Sequence, residues 1–181
     1  MALITGQLKW PPVHLVCCGT AFVLFMTHAA MAAPMSAKDV QIIAKALGFL
    51  DPAPAGGMVA VVYSDAASKA DADGVVTSFG AGLPSAGGTI TAKAVDVAAL
   101  GDGGGYIAII LADGVSSDAA NAAAKAHRIP CITANLALVQ SGGCVMSVQS
   151  EPKVSITVNH AAAQAAGIGF ASAFAMLIHE I

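Results

Sequence analysis

Two continuous apolar runs, rich in β-branched residues, constrain this fold most. "MVAVVY", Met58 to Tyr63, and "YIAIILA", Tyr106 to Ala112, show no alternation of apolar and polar residues. A strand with water on one face alternates; a strand covered on both faces does not. Each run therefore reads as a strand buried on both sides. The chain between and after them supplies cover of helical length. Residues 66–79 form one such stretch, capped by Ser64 or Asp65, and "SSDAANAAAKAHR", Ser116 to Arg128, forms another. Helix-length connections between strands imply parallel pairing.

The remaining segments complete an α/β pattern. "SAKDVQIIAKALGFL", Ser36 to Leu50, repeats apolar residues at helical spacing, with Ser36 as its N-cap. "DPAPAGG" stops it. "TITAKAV", Thr89 to Val95, alternates as a second strand, and "IPCITA" reads as a fourth. "NLALVQSGG" is a short helix or turn. "CVMSVQ" and "KVSITV" form a hairpin across the turn "SEP". The segment Asn159 to Ile181 reads as one closing helix capped by Asn159. The expected fold is a three-layer α/β sandwich. Its sheet is mostly parallel, with a C-terminal antiparallel hairpin at the edge and a closing C-terminal helix.

Hydropathy raises the question of export. The 181 residues are 56% hydrophobic and 10% charged, and mean hydropathy is +0.74. Residues 1–32 account for part of this. Lys9 precedes the apolar core "LVCCGTAFVLFM", Leu15 to Met26, too short to span a bilayer comfortably. "AMA", Ala30 to Ala32, then gives small residues at signal-peptidase spacing. The expected organisation is a signal peptide over 1–32 and a single α/β domain over 33–181, exported to the periplasm. A retained N-terminal anchor is the rival reading. Without Lys9 the domain holds 7 basic and 11 acidic residues, a net of −4. There is no basic patch and few aromatic residues, so nucleic-acid binding is not expected.

Export leaves two cysteines, Cys131 and Cys144. In an oxidising compartment two such cysteines read as a disulfide, the rival being two separate buried thiols. The closed loop would contribute roughly 3 kcal/mol in the chain-entropy description. Neither has a His or second Cys at zinc-ligand spacing, so no metal site is expected.

Chemistry-bearing motifs are sparse. "GDGGGY", Gly101 to Tyr106, lacks the third glycine of a dinucleotide fingerprint and precedes a strand, so it reads as a loop. Asp65, Asp71 and Asp73 gather at the start of one helix without an EF-hand pattern, as a solvated helix end would. His127, His160 and His179 lie on separate elements. Ser116, Ser117 and Ser141 lack a nucleophile-elbow context. No catalytic set is assembled, no cofactor is implied, and an enzyme is not expected. Asp113, Ser116 and Ser117 follow a buried strand, where open α/β sheets bind small molecules. They are the candidate ligand loop, with helix capping as the competing reading. Phe170, Phe174 and Leu177 form an apolar stripe within the small-residue C-terminal segment. They are the candidate partner surface, with packing onto the sheet as the competing reading.

From Pro130 onward the order of features resembles the YfiR-like periplasmic family. Gly142-Gly143, Val158-Asn159, Ala161-Ala162, Ala166-Gly167-Ile168, Ser172 and Met176-Leu177 occupy the places of that family's Gly-Gly, strand-ending Asn and closing "AGL.SS.LL" segment. The opening helix is also similar, although the Trp that often ends the family's opening segment is missing. The resemblance implies a homodimeric periplasmic regulator that holds an inner-membrane diguanylate cyclase inactive and so lowers cyclic-di-GMP. The family member studied as a regulator has more than one disulfide; this domain has one candidate pair. A small periplasmic solute-binding domain is the alternative.

Overall fold

The computed structural model describes residues 34–181; the expected signal peptide, with Cys17 and Cys18, lies outside them. The elements run α1 (Ala37–Leu47), β1 (Leu50–Asp51), β2 (Gly57–Tyr63), α2 (Ala66–Phe79), β3 (Leu83–Ser85) and β4 (Gly88–Asp96). A 3-10 turn (Val97–Ala99) follows, then β5 (Ala108–Leu111), α3 (Asp118–His127), β6 (Cys131–Thr133) and α4 (Leu136–Gln140). The last third holds β7 (Met146–Gln149), β8 (Ser155–Val158), α5 (His160–Ala165), β9 (Gly169–Phe170), α6 (Ser172–Ala175) and β10 (His179–Glu180).

One eight-stranded sheet organises the molecule, in the order β10-β8-β7-β6-β5-β2-β4-β3. Pairings from β4 through β2, β5 and β6 to β7 are parallel, and so is β10 with β8. The antiparallel pairs are β7 with β8 and β3 with β4. Val59 to Val62 and Ala108 to Ile110 have no exposed surface, which explains their unbroken apolar sequence. The β2-to-β4 crossover through α2 and the β5-to-β6 crossover through α3 run in opposite directions along the sheet. Right-handed crossovers then put α2 and α3 on opposite faces. α1 packs with α2, and α4 packs under β6 to β8, which makes three layers.

Local signals explain the helix starts. Ser36 and Asp39 form a reciprocal capping box on α1. Asp65, not Ser64, caps α2, again reciprocally with Ser68. Reciprocal caps of this kind satisfy amides that a helix start leaves unpaired.

The structure corrects four expectations. First, residues 159–181 are not one helix. α5 ends at Gly167 (φ +65°), where Ile168 N–H donates to Ala163 O at 2.9 Å and Gly167 N–H to Gln164 O at 3.0 Å. That is a Schellman ending, which glycine allows because it has no Cβ to clash at positive φ. The chain then pairs Phe170 with Leu50 in a separate two-stranded ribbon of β9 and β1. A short turn of helix, α6, and the edge strand β10 follow. Second, the β7–β8 hairpin is not the sheet edge, because β10 adds outside β8. Third, the hairpin turn is longer than "SEP" and occupies residues 150–154. Fourth, β3 was not expected; Leu83–Ser85 folds back on β4 through a two-residue turn.

Candidate functional site

The strand order reverses beside β2. From β2 the chain steps to β4 on one side, then returns to β5 on the other. At such a switch point the loops beyond the C-terminal strand ends part, leaving a crevice. Here the dividing loop is Ala112 to Ser116, after β5. A cavity of about 310 Å3 lies on each side of it. One is lined by Asp113, Ser116, Thr133 and Asn135. The other is lined by Asp65, Ser68, Asp71, Asp113 and Gly114.

Hydrogen bonds fix this loop. Asp113 N–H donates to Asp71 Oδ2 at 2.9 Å, tying it to α2. Ser116 Oγ donates to Asp118 Oδ2 at 3.0 Å and accepts from Asp118 N–H at 3.4 Å. Ser116 therefore steadies the start of α3. Ser117 holds the N-cap position but makes no side-chain cap bond. It packs against Gly143, where any side chain would collide with its Oγ. Of the three candidate ligand residues, Asp113 and Ser116 line a cavity and Ser117 does not line either. Asp71 and Thr133 join them from α2 and β6, which sequence spacing did not reveal.

The acidic character is local. Ser68 N–H, then the Ser68 hydroxyl, hold the Asp65 carboxyl below its ordinary value. Among the described residues no group of three or more His, Cys, Asp or Glu is placed to hold a metal ion. The histidines stay apart. His127 Nε2 lies 3.3 Å from Asp102 Oδ2, His160 contacts Gln164 at 2.9 Å, and His179 sits on β10. Asp102 is held below its ordinary pKa by Gly104 N–H and by His127. Of the glycines of "GDGGGY", Gly103 has a packing reason. Gly103, at φ +82°, lies so close to Ala123 of α3 that an added Cβ would crowd it.

The candidate partner surface divides. Phe174 is 1% exposed. Its ring stacks on Phe49 and on Phe170, each at 5.2 Å between centroids. Phe170 is half-buried on β9. Only Leu177, at 60%, is exposed, so the three do not form one outward stripe. An apolar groove of about 370 Å3 nevertheless opens beside Leu177. Ile42, Ala46, Phe49, Val154 and Ile156 line it, with Lys45 at its rim. Met176, 83% exposed, is the next residue to Leu177 in the chain. The exposed members, Met176 and Val154, carried no periodic signal in the sequence.

Cys131 and Cys144 are joined in a disulfide, with Cα atoms 4.8 Å apart. Both are buried. The bridge ties the start of β6 to the approach to β7, beside the bond from Val145 N–H to Cys131 O at 3.0 Å. It closes the loop that carries α4 and Gly142-Gly143. Among the described residues no helix is long and apolar enough to cross a membrane. No protein-family model matches this chain, and no curated protein matches it.

Proposed function

We propose that this chain is a periplasmic regulator of the YfiR-like kind, which binds an inner-membrane signalling protein of the diguanylate cyclase type and represses it. The observation that supports this reading is the exposed apolar cluster at the C-terminal end of the domain. Met176, Leu177 and Val154 are 83%, 60% and 47% exposed, and the last two line an apolar groove. Large apolar side chains gathered at a groove favour covering by another protein. The resemblance of residues 130–177 to the family supplies the class of partner. The disulfide supports the periplasmic part of the reading, because such bonds persist in oxidising compartments.

The test is made in the cells that produce the protein. Deleting the gene is expected to raise cyclic-di-GMP. Wild-type protein is expected to restore the low level, and Leu177→Asp to restore it poorly while still folding. Unchanged cyclic-di-GMP on deletion would overturn the proposal.

A second reading has its own support in the paired cavities about Asp113. Under it the domain binds a small solute at the β5 end of the sheet. Thermal shift against a panel of periplasmic metabolites decides it. A saturable gain in melting temperature that Asp113→Ala abolishes favours solute binding; no gain across the panel removes it.

A further inference from the structure

A separate cavity lies at the far end of α3. That helix starts beside the Asp113 loop and runs 10 residues to His127, a rise of about 15 Å. There a cavity of about 340 Å3 is lined by the end of α3, by β1 and by the loop after α5. Its size is at the lower end for small-molecule sites. The lining is mixed. Arg128 supplies a positive charge, Asp51 a negative one, and Leu50, Pro52 and Ile168 an apolar part.

The helix that Arg128 ends does not explain it. Its backbone is left-handed, at φ +54°, where glycine or asparagine fits with less strain. Lys125 and His127 already put basic groups in the last turn, which is what the helix dipole favours. His127 is engaged by Asp102. Arg128 has no such partner: among the described residues neither it nor Asp51 forms an ion pair. Two opposite charges thus share one cavity without meeting.

Both are held in place from outside the cavity. The Arg128 stem passes beside Gly167, where a Cβ would lie 3.4 Å from the arginine Cδ. Asp51 is fixed by the β1–β9 ribbon, in which it stands opposite Gly169. A ligand that answered only one of the charges would leave the other in the cavity uncompensated.

We propose that this cavity binds a free α-amino acid with an apolar side chain. The guanidinium of Arg128 takes the carboxylate, for which its planar fork is suited. The Asp51 carboxylate accepts from the ammonium group. Leu50, Pro52 and Ile168 cover the side chain. The site depends neither on what the domain regulates nor on the Asp113 crevice.

The test is calorimetric titration of the protein purified as expressed. The probes are L-leucine, L-isoleucine and L-valine, with N-acetyl-L-leucine and L-leucinamide as relatives that each lack one charge. At least one free amino acid is expected to bind saturably, and L-leucine at least tenfold more tightly than either capped form. Arg128→Asn, which suits the left-handed backbone, is expected to weaken L-leucine tenfold or more and to leave L-leucinamide unchanged. Asp51→Asn is expected to weaken L-leucine likewise and to leave N-acetyl-L-leucine unchanged. A variant damaged only in its folding would lose all three ligands alike. Asp113→Ala is expected to change nothing here; binding that it abolishes belongs to the other crevice and overturns the proposal. So does the absence of binding by all three free amino acids, or equal binding of L-leucine and its capped forms. Should a variant fail to fold, the capped ligands on the wild type still decide.

Discussion

At the scale of single residues, two kinds of side chain fasten the ends of the elements. The first is the Cys131–Cys144 bridge, 13 residues apart in sequence. Closing a loop of this length restricts the unfolded chain and contributes roughly 3 kcal/mol. Replacing both cysteines by alanine should lower stability by about that amount, read from urea unfolding. An unchanged midpoint would mean that the strain or residual structure of the unfolded chain cancels the gain. The second is the carboxylate cap, as at Asp65. Its folded pKa lies below the usual 3.8, chiefly because Ser68 N–H bonds the ionised form. A depressed acid stabilises the fold above its unfolded value, and that contribution is lost as pH falls through the folded value. The window therefore lies at and below about pH 4. Asp65→Asn keeps a capping oxygen but cannot titrate there. Acidification should thus destabilise the wild type more than the variant, as followed by thermal melts across that range. Parallel loss in the two proteins would remove Asp65 from the acid limb.

At the scale of elements, the buried strands were legible and the last segment was not. An unbroken run such as Val59 to Val62 has one simple explanation, cover on both faces, and β2 fulfils it. The segment from Asn159 carries alanines and apolar residues at helical spacing, yet Gly167 ends α5 and Phe170 turns toward Leu50. Helical spacing reports which side chains face one way. It does not report whether a glycine between them takes positive φ. The same break decides which aromatic residue is core. Phe174 is 1% exposed and stacked between Phe49 and Phe170, while Leu177 is 60% exposed. Phe174→Ala should cost about 3–5 kcal/mol, and Leu177→Ala about 0.5 kcal/mol or less. Urea unfolding of the two variants checks this. Similar losses would mean that Leu177 is packed in solution and unavailable to a partner.

At the scale of the molecule, the layers and the parallel sheet follow from strand burial and connection length. The crevice beside Asp113 follows from where β5 ends. Asp71 and Thr133 complete it only because α2 and β6 bring distant segments to the same place, a relation that no local pattern carries. β10 was illegible for a related reason. Two exposed residues, His179 and Glu180, hold no apolar signature, and their pairing depends on where β8 lies. These differences in burial predict a hierarchy of opening. Strands β2, β5 and β6 are covered on both faces, and their bonds break only when the central sheet is exposed to water. β1, β9 and β10 are two residues long and lie outside that core. Local opening costs least where few buried apolar contacts are lost. In hydrogen exchange, amides of Val59 to Val62 and Ile109 to Leu111 should be the slowest and open only with global unfolding. Those of the β1–β9 ribbon should exchange well before them. In dilute protein the Glu180 amide should exchange fast, because its N–H points away from β8. A ribbon as slow as β2 would show that the C-terminal segment belongs to the same cooperative unit as the central sheet.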